Sequence, residues 1–273
     1  MPDIILDKQG NEKLWDGTAA TYQRIGPDFT GMFGTRLVEM MSISPGARIL
    51  DIATGTGAVL FLAARRAGAN GHVTGIDISS LMIEEAKRAA IAKGVNNVDL
   101  LKMDAEHLEF PDETFDAVTC ALGLFYLPNI DVGVREMYRV CKPDGFIGIA
   151  MFNKTPGPPS PGIPLYAELA AKYKTRVRSA YPTSWSPEET EALLGKQPFQ
   201  SITAKDETFN IVYANVEEWW NCMLSGGWRG SIMAMDENTR SRFKEEYCAR
   251  LQPMVQPDGL HMTVGAVYAI AQK

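Results

Sequence analysis

Three aspartates, each closing a different short apolar run, are the side chains of this sequence best placed to hold a ligand. Asp51 begins Asp51-Ile52-Ala53-Thr54-Gly55-Thr56-Gly57, where a strand-like run ends in a glycine-containing loop and passes directly into a helical pattern. Glycine lets backbone approach a ligand closely, and a helix start offers unpaired amide donors. Such a loop binds either a nucleotide phosphate or the amino-acid end of S-adenosylmethionine (SAM). About 20 positions past the loop, a ribose requires an acidic residue at the end of the next strand, and Asp77 in Gly75-Ile76-Asp77-Ile78 meets that need. Asp104, in Lys102-Met103-Asp104-Ala105-Glu106, adds an acceptor where an adenine amino group can lie. Ile78 and Met82 can flank that ring, a thioether packing well on an aromatic face. One strand-end aspartate is often just a turn former. Three at the ends of successive strands point to a nucleoside site.

Both phosphate readings are weak. A dinucleotide fingerprint needs a third glycine where Leu60 stands, and no stretch ends in the Gly-Lys-Ser/Thr of a phosphate loop. Asp77 itself suits NAD and SAM alike.

Residues at strand ends need a scaffold that aligns the strands. From 47 to about 153, short runs rich in Val and Ile alternate with stretches of helical period, which predicts strand-helix-strand units around a parallel sheet. Strands are expected at 48–53, 72–78, 98–103, 115–122 and 146–151. Helices are expected at 57–66, from Ser79 or Ser80 to Lys93, and ending before Lys142-Pro143-Asp144-Gly145. In the second of these, Met82, Ala86 and Ala90 face inward and Glu84, Glu85 and Lys87 face water. Alternation over 199–213 and 261–271 supplies a sixth and a seventh strand. The expected fold class is α/β: a doubly wound, mostly parallel, seven-stranded Rossmann-like sheet with a helical N-terminal arm and a helical lid or cap insertion. Such sheets bind ligands beyond the carboxyl ends of their strands.

Four segments are anticipated: an arm at 1–42, a cofactor-binding core at 43–153, a lid at 154–186, and a completion of the sheet at 187–273 with a helical cap over 215–255. The lid opens with Pro156, Pro158, Pro159, Pro161 and Pro164, which exclude a central strand or a helix interior, and a helix is expected near 165–176. Ser186-Pro187-Glu188-Glu189 is a capping box with proline at the first helical position, and Asn215-Val216-Glu217-Glu218 repeats that chemistry.

The motifs Asp51 to Gly57, Gly75 to Ser79, Asp104-Ala105, Phe115-Asp116 and Arg139 to Gly145 resemble those of class I SAM-dependent methyltransferases. The nearest likeness is to the ubiquinone/menaquinone-type (methyltransferase type 11) small-molecule group, over roughly residues 35 to 152. The resemblance implies that Gly55 and Gly57 line the methionine portion of SAM and that Asp51 meets its ammonium. It also implies that Asp77 takes the ribose, Asp104 with Ala105 takes the adenine, and Ala121 faces the methionyl group. Ala53 stands where the family usually has glycine; a residue so small and compatible with strand geometry should tighten packing without losing the cofactor. Tyr22 and Tyr126, aromatics at places that often face the active site in this family, are the catalytic and acceptor-binding candidates.

Methyl transfer is an in-line displacement served largely by alignment, with a base needed for hydroxyl and carbon acceptors. His72, His107 and His261 occupy strand or turn positions that suit structural roles, leaving Asp28 as a further base candidate. The variable regions hold Tyr166, Tyr181, Trp185, Trp219, Trp220 and Trp228, of which Trp185 and Trp228 are the acceptor-site candidates. A cap of such rings would favour a flat or apolar acceptor.

Tyr138-x-x-x-Lys142 matches the spacing of short-chain dehydrogenases, but Phe125 lies where an upstream serine would be wanted, so an NAD(P)-dependent oxidoreductase is the rival, beside a SAM-binding regulatory subunit. The formal charge of −6 over 273 residues, with no basic cluster, argues against nucleic-acid or membrane partners and for a small-molecule acceptor. A homo-oligomer stays open. Cys120, Cys141, Cys222 and Cys248 are too scattered for a metal site, and the absence of a long apolar run or basic leader leads us to expect a cytoplasmic protein.

Overall fold

The computed structural model describes residues 7–154, 161–175 and 184–273. Strand runs dense in Val, Ile and Leu must be covered on both faces, which favours parallel pairing. β1 (Arg48–Ile52), β2 (His72–Asp77), β3 (Val98–Lys102), β4 (Phe115–Ala121) and β5 (Cys141–Phe152) pair in parallel in the order β3-β2-β1-β4-β5. The reversal of order beside β1 is the switch point where doubly wound sheets take ligands. β7 (Leu260–Gln272) then joins β5 antiparallel, and β6 (Ser201–Tyr213) closes the edge against β7.

β6 and β7 form a ribbon that outruns the sheet. All of β6, from Ser201 to Tyr213, pairs with β7, whereas β5 pairs with β7 only from Phe146↔Gln272 to Phe152↔Ala266. The far half of the ribbon therefore projects past the carboxyl end of β5, on the ligand side.

α1 (Lys8–Asp16) and α2 (Phe29–Met40) make up the arm. α3 (Leu60–Ala67), α4 (Ser80–Lys93) and α5 (Ile130–Val140) are crossovers, α6 (Gly162–Lys172) follows β5, and α7 (Pro187–Leu194) precedes β6. α8 (Val216–Leu224), α9 (Arg229–Met233) and α10 (Glu237–Leu251) lie between β6 and β7. The helix expected at Ser186 starts as anticipated, its hydroxyl accepting from Glu189 N and Glu189 accepting from Ser186 N.

Departures from expectation have local causes. α3 starts at Leu60 instead of 57 because Gly55 and Gly57 have φ of +53° and +98°, which no helix continues. α6 starts earlier than 165 because Pro161 and Pro164 fall at its cap and first turn, where a missing N–H is harmless. Glu85, expected in water, is buried and paired with Arg24 and Arg88. β5 begins at Cys141 and absorbs Lys142-Pro143-Asp144-Gly145 as an irregularity against β4, with Asp144 at φ +62°. Of the anticipated lid, residues 155–160 and 176–183, with Arg176 and Tyr181 among them, lie outside the described residues.

Apolar side chains form two clusters. One sandwiches the sheet; the other lies under α6, α8 and α10 around Tyr166, Trp220, Phe243 and Tyr247, and Phe29, Phe209 and Val264 touch both. No helix among the described residues is long and apolar enough to cross a membrane.

Candidate active site

β1, β2 and β3 are neighbours, so the three aspartates emerge side by side. Asp51 is 1% exposed, accepting from Thr54 Oγ1 and Thr119 Oγ1, each at 2.7 Å. Asp77, also buried, accepts from Gly55 N and Ser79 N at 2.9 Å. Asp104 accepts from Glu106 N at 2.9 Å and from Lys8 Nζ at 2.6 Å. Each carboxylate oxygen retains lone-pair capacity for a ligand.

Burial pushes both Asp51 and Asp77 up to about 6. None of the hydrogen bonds just given brings a basic side chain to either one. Two buried carboxyls answered only by hydroxyls and amides favour a cationic ligand, which restores their ionised form. SAM carries a sulfonium and an ammonium, and the site fits it; the pyrophosphate of a dinucleotide would meet like charge at the same loop.

A cavity of about 770 Å³, counting the space open to solvent, is bordered by Ile78, Met82, Asp77, Asp104, Ala105 and Ala121, with Ala53 and Gly55 on the loop side. A smaller hollow continues it toward Asp51, Thr56 and Gln23. Nine of the ten sequence-derived cofactor residues thus border one connected region. Gly57 instead faces an outer groove, and a Cβ there would collide with Phe61 at 2.4 Å.

Ala53 departs from its expected strand geometry. Its φ is +54°, the left-handed region where the family glycine would be at ease. Its methyl is accommodated because residue 123 is glycine: a Cβ at Gly123 would lie 2.3 Å from Ala53 Cβ. Gln23 (φ +58°) and Leu122 (φ +57°) share that conformation, and all three border these cavities, where strain is commonly held.

A second cavity of about 950 Å³ adjoins the first, and Trp15, Tyr22, Leu122 and Tyr126 border both. Trp15 packs edge-on against Tyr22 (centroids 5.6 Å apart, 81°) and Tyr126 (5.1 Å, 89°), fixing both rings in the dividing wall. Desolvation drives the Tyr22 hydroxyl far above its ordinary value, so it stays protonated and serves as a donor or packing surface at neutral pH. The far wall comes from the ribbon (Ile211, Tyr213, Met262, Val264) and from Trp219 and Trp228 of the cap. Trp219 also donates to Tyr247 Oη at 2.8 Å, while Trp220 packs in the cap interior. Among the described residues, Asp28 is the one charged side chain on this lining.

Trp185 is not among the described residues bordering the second cavity; its backbone instead pairs with Phe152 and Lys154. His72 and His261 are held by Asp99 and Asp258. Tyr138 faces Pro198 and Lys142 pairs with Asp116, so the dehydrogenase-like spacing assembles no site. Lys8, Gln23, Leu122 and Cys222 are wall residues that sequence reasoning missed. The one signal for them was the Leu122-Gly123 break after β4.

Residues 49–145 match the family described as a methyltransferase domain. Over 138 residues the chain is 43% identical to aklanonic acid methyltransferase DauC of Streptomyces sp. (strain C5), covering 50% of this chain and 62% of that protein. Over 137 residues it is 38% identical to the ubiquinone/menaquinone biosynthesis C-methyltransferase UbiE of Ectopseudomonas mendocina (strain ymp), covering 50% and 51%. The chain thus spans less than two thirds of the length of these curated relatives. The crystal structure of YcgJ from Bacillus subtilis superimposes with a TM-score of 0.60 at 21% identity, over 89% of this chain and 98% of that one, a likeness of fold.

Proposed function

We propose that this chain, which through residues 49–145 belongs to the class I SAM-dependent methyltransferases of the UbiE type, transfers the methyl group of SAM to oxygen, nitrogen or carbon of a small, flat or apolar metabolite. The observation that carries the reading is the shared wall: a cavity bordered by Asp77 and Asp104 meets an aromatic-lined cavity at Trp15, Tyr22, Leu122 and Tyr126. Bound SAM would supply a methyl on a good leaving group, the thioether of S-adenosylhomocysteine. The protein's part is to hold ribose and ammonium on Asp77 and Asp51, place the acceptor against the dividing wall and exclude water. Names of relatives that include aklanonic acid and ubiquinone/menaquinone agree with an acceptor of this type.

The test is calorimetric titration with SAM, followed by transfer of a radiolabelled methyl to a panel of phenols, enolisable ketones and amines. Asp77→Ala is expected to weaken SAM by about 1–3 kcal/mol through loss of charge-assisted ribose contacts. Unchanged affinity in the folded variant removes Asp77 from the site, and no binding by the parent protein removes the function.

A further inference from the structure

Gln23 sits between α1 and α2 at φ +58°, a conformation unusual for a side chain of its size. Its amide spans two walls. The carbonyl oxygen accepts from the hydroxyl of Thr56 on the glycine loop, and the amide nitrogen donates to Thr30 Oγ1 and, at 3.3 Å, to Asp28 Oδ1. The direction of the amide is not arbitrary, because the Asp28 carboxylate only accepts. Thr30 closes the loop by donating to the same Asp28 Oδ1 at 3.1 Å. Gln23 borders both the hollow beside Asp51 and the acceptor cavity. A left-handed residue persists where its surroundings over-determine it, and these are the bonds that do so.

We propose that Gln23 is a positioning residue that ties occupancy of the cofactor loop to the acceptor wall, so that cofactor at Gly55-Thr56 orders Tyr22, Asp28 and Thr30. The inference rests on the cofactor reading above. Thr56 is adjacent to the atoms a methionyl group would contact, and any shift of its hydroxyl pulls one end of a rigid amide whose other end holds the first turn of α2. Tyr22, the immediate neighbour in sequence, moves with it. Cofactor and acceptor then bind in a preferred order, coupled through the Gln23 amide.

The experiment is hydrogen–deuterium exchange of the full chain with and without S-adenosylhomocysteine, alongside its titration. In the parent protein, the ligand is expected to slow exchange across 28–33 by about fivefold or more, the size of an ordinary coupling. Gln23→Met, which keeps the length and loses all three bonds, should abolish that slowing at saturating ligand. Gln23→Gly, which relieves the backbone, should behave the same, separating the amide's role from strain. Thr30→Val, which leaves the glycine loop intact, should cut the slowing as well. Full slowing in Gln23→Met overturns the proposal, as does a bound parent protein that shows none at 28–33. A parent protein that binds no ligand sinks the cofactor reading instead.

Discussion

On the cofactor side, Asp51, Asp77 and the loop beside them are fixed by strand ends, backbone amides and hydroxyls. On the side proposed for the acceptor, Ile211, Tyr213, Met262 and Val264 come from an antiparallel ribbon and Trp219 and Trp228 from the cap segment, held by close packing. Hydrogen bonds localise the effect of a change to the partners of the altered atom, whereas close packing spreads it through the cluster. A cofactor wall of the first kind stays constant in chemistry; a wall of the second kind can be refilled with other apolar shapes.

Trp219→Ala should give the largest effect, about 3–5 kcal/mol of lost stability from cavity formation in the cap, and it removes the donor to Tyr247. SAM affinity should stay within about threefold, read by urea unfolding and titration on the same sample. Collapse of cofactor binding would show that the two walls are one unit. Next is Gly123→Ala, whose new methyl meets Ala53 and should cost about 1–3 kcal/mol by overpacking. Adding Ala53→Gly should restore most of it; a strictly additive double variant would show that the fit between them does not matter.

The smallest effect is on pH. Asp51 and Asp77, raised to about 6, contribute stability that is complete below their unfolded value of 3.8 and is lost as pH rises through about 6. A cationic ligand favours their ionised forms, so SAM binding below pH 6 should release protons and weaken about tenfold per pH unit for each proton released. Titration in buffers of differing ionisation heat measures this, and zero proton release would remove both carboxyls from the cation site.

The contrast also explains what could be read from the sequence. Asp51, Asp77 and Asp104 follow a spacing imposed by strand-helix units, so their convergence was legible before any coordinates. The strands at 199–213 and 261–271 were legible too, yet alternation names a face without naming what it faces. The acceptor cavity draws one or a few side chains from each of many elements, and no spacing rule connects Tyr22 with Met262. Lys8 carries no local signal at all, since its partner Asp104 lies 96 positions away in the chain. Ala53 was misjudged because backbone handedness depends on the void at Gly123, a residue seventy positions away.

The overhang of β6 and β7 has a mechanical consequence. A two-stranded arm paired with β5 as far as Ala266, and packed beyond it against the cap cluster through Tyr213, Leu260 and Met262, carries a twist at its root out to that cluster. Cavity width on that side is therefore adjustable from a distance: substitutions near the root, remote from any ligand, would resize the space available to a guest molecule while leaving the aspartate shelf untouched.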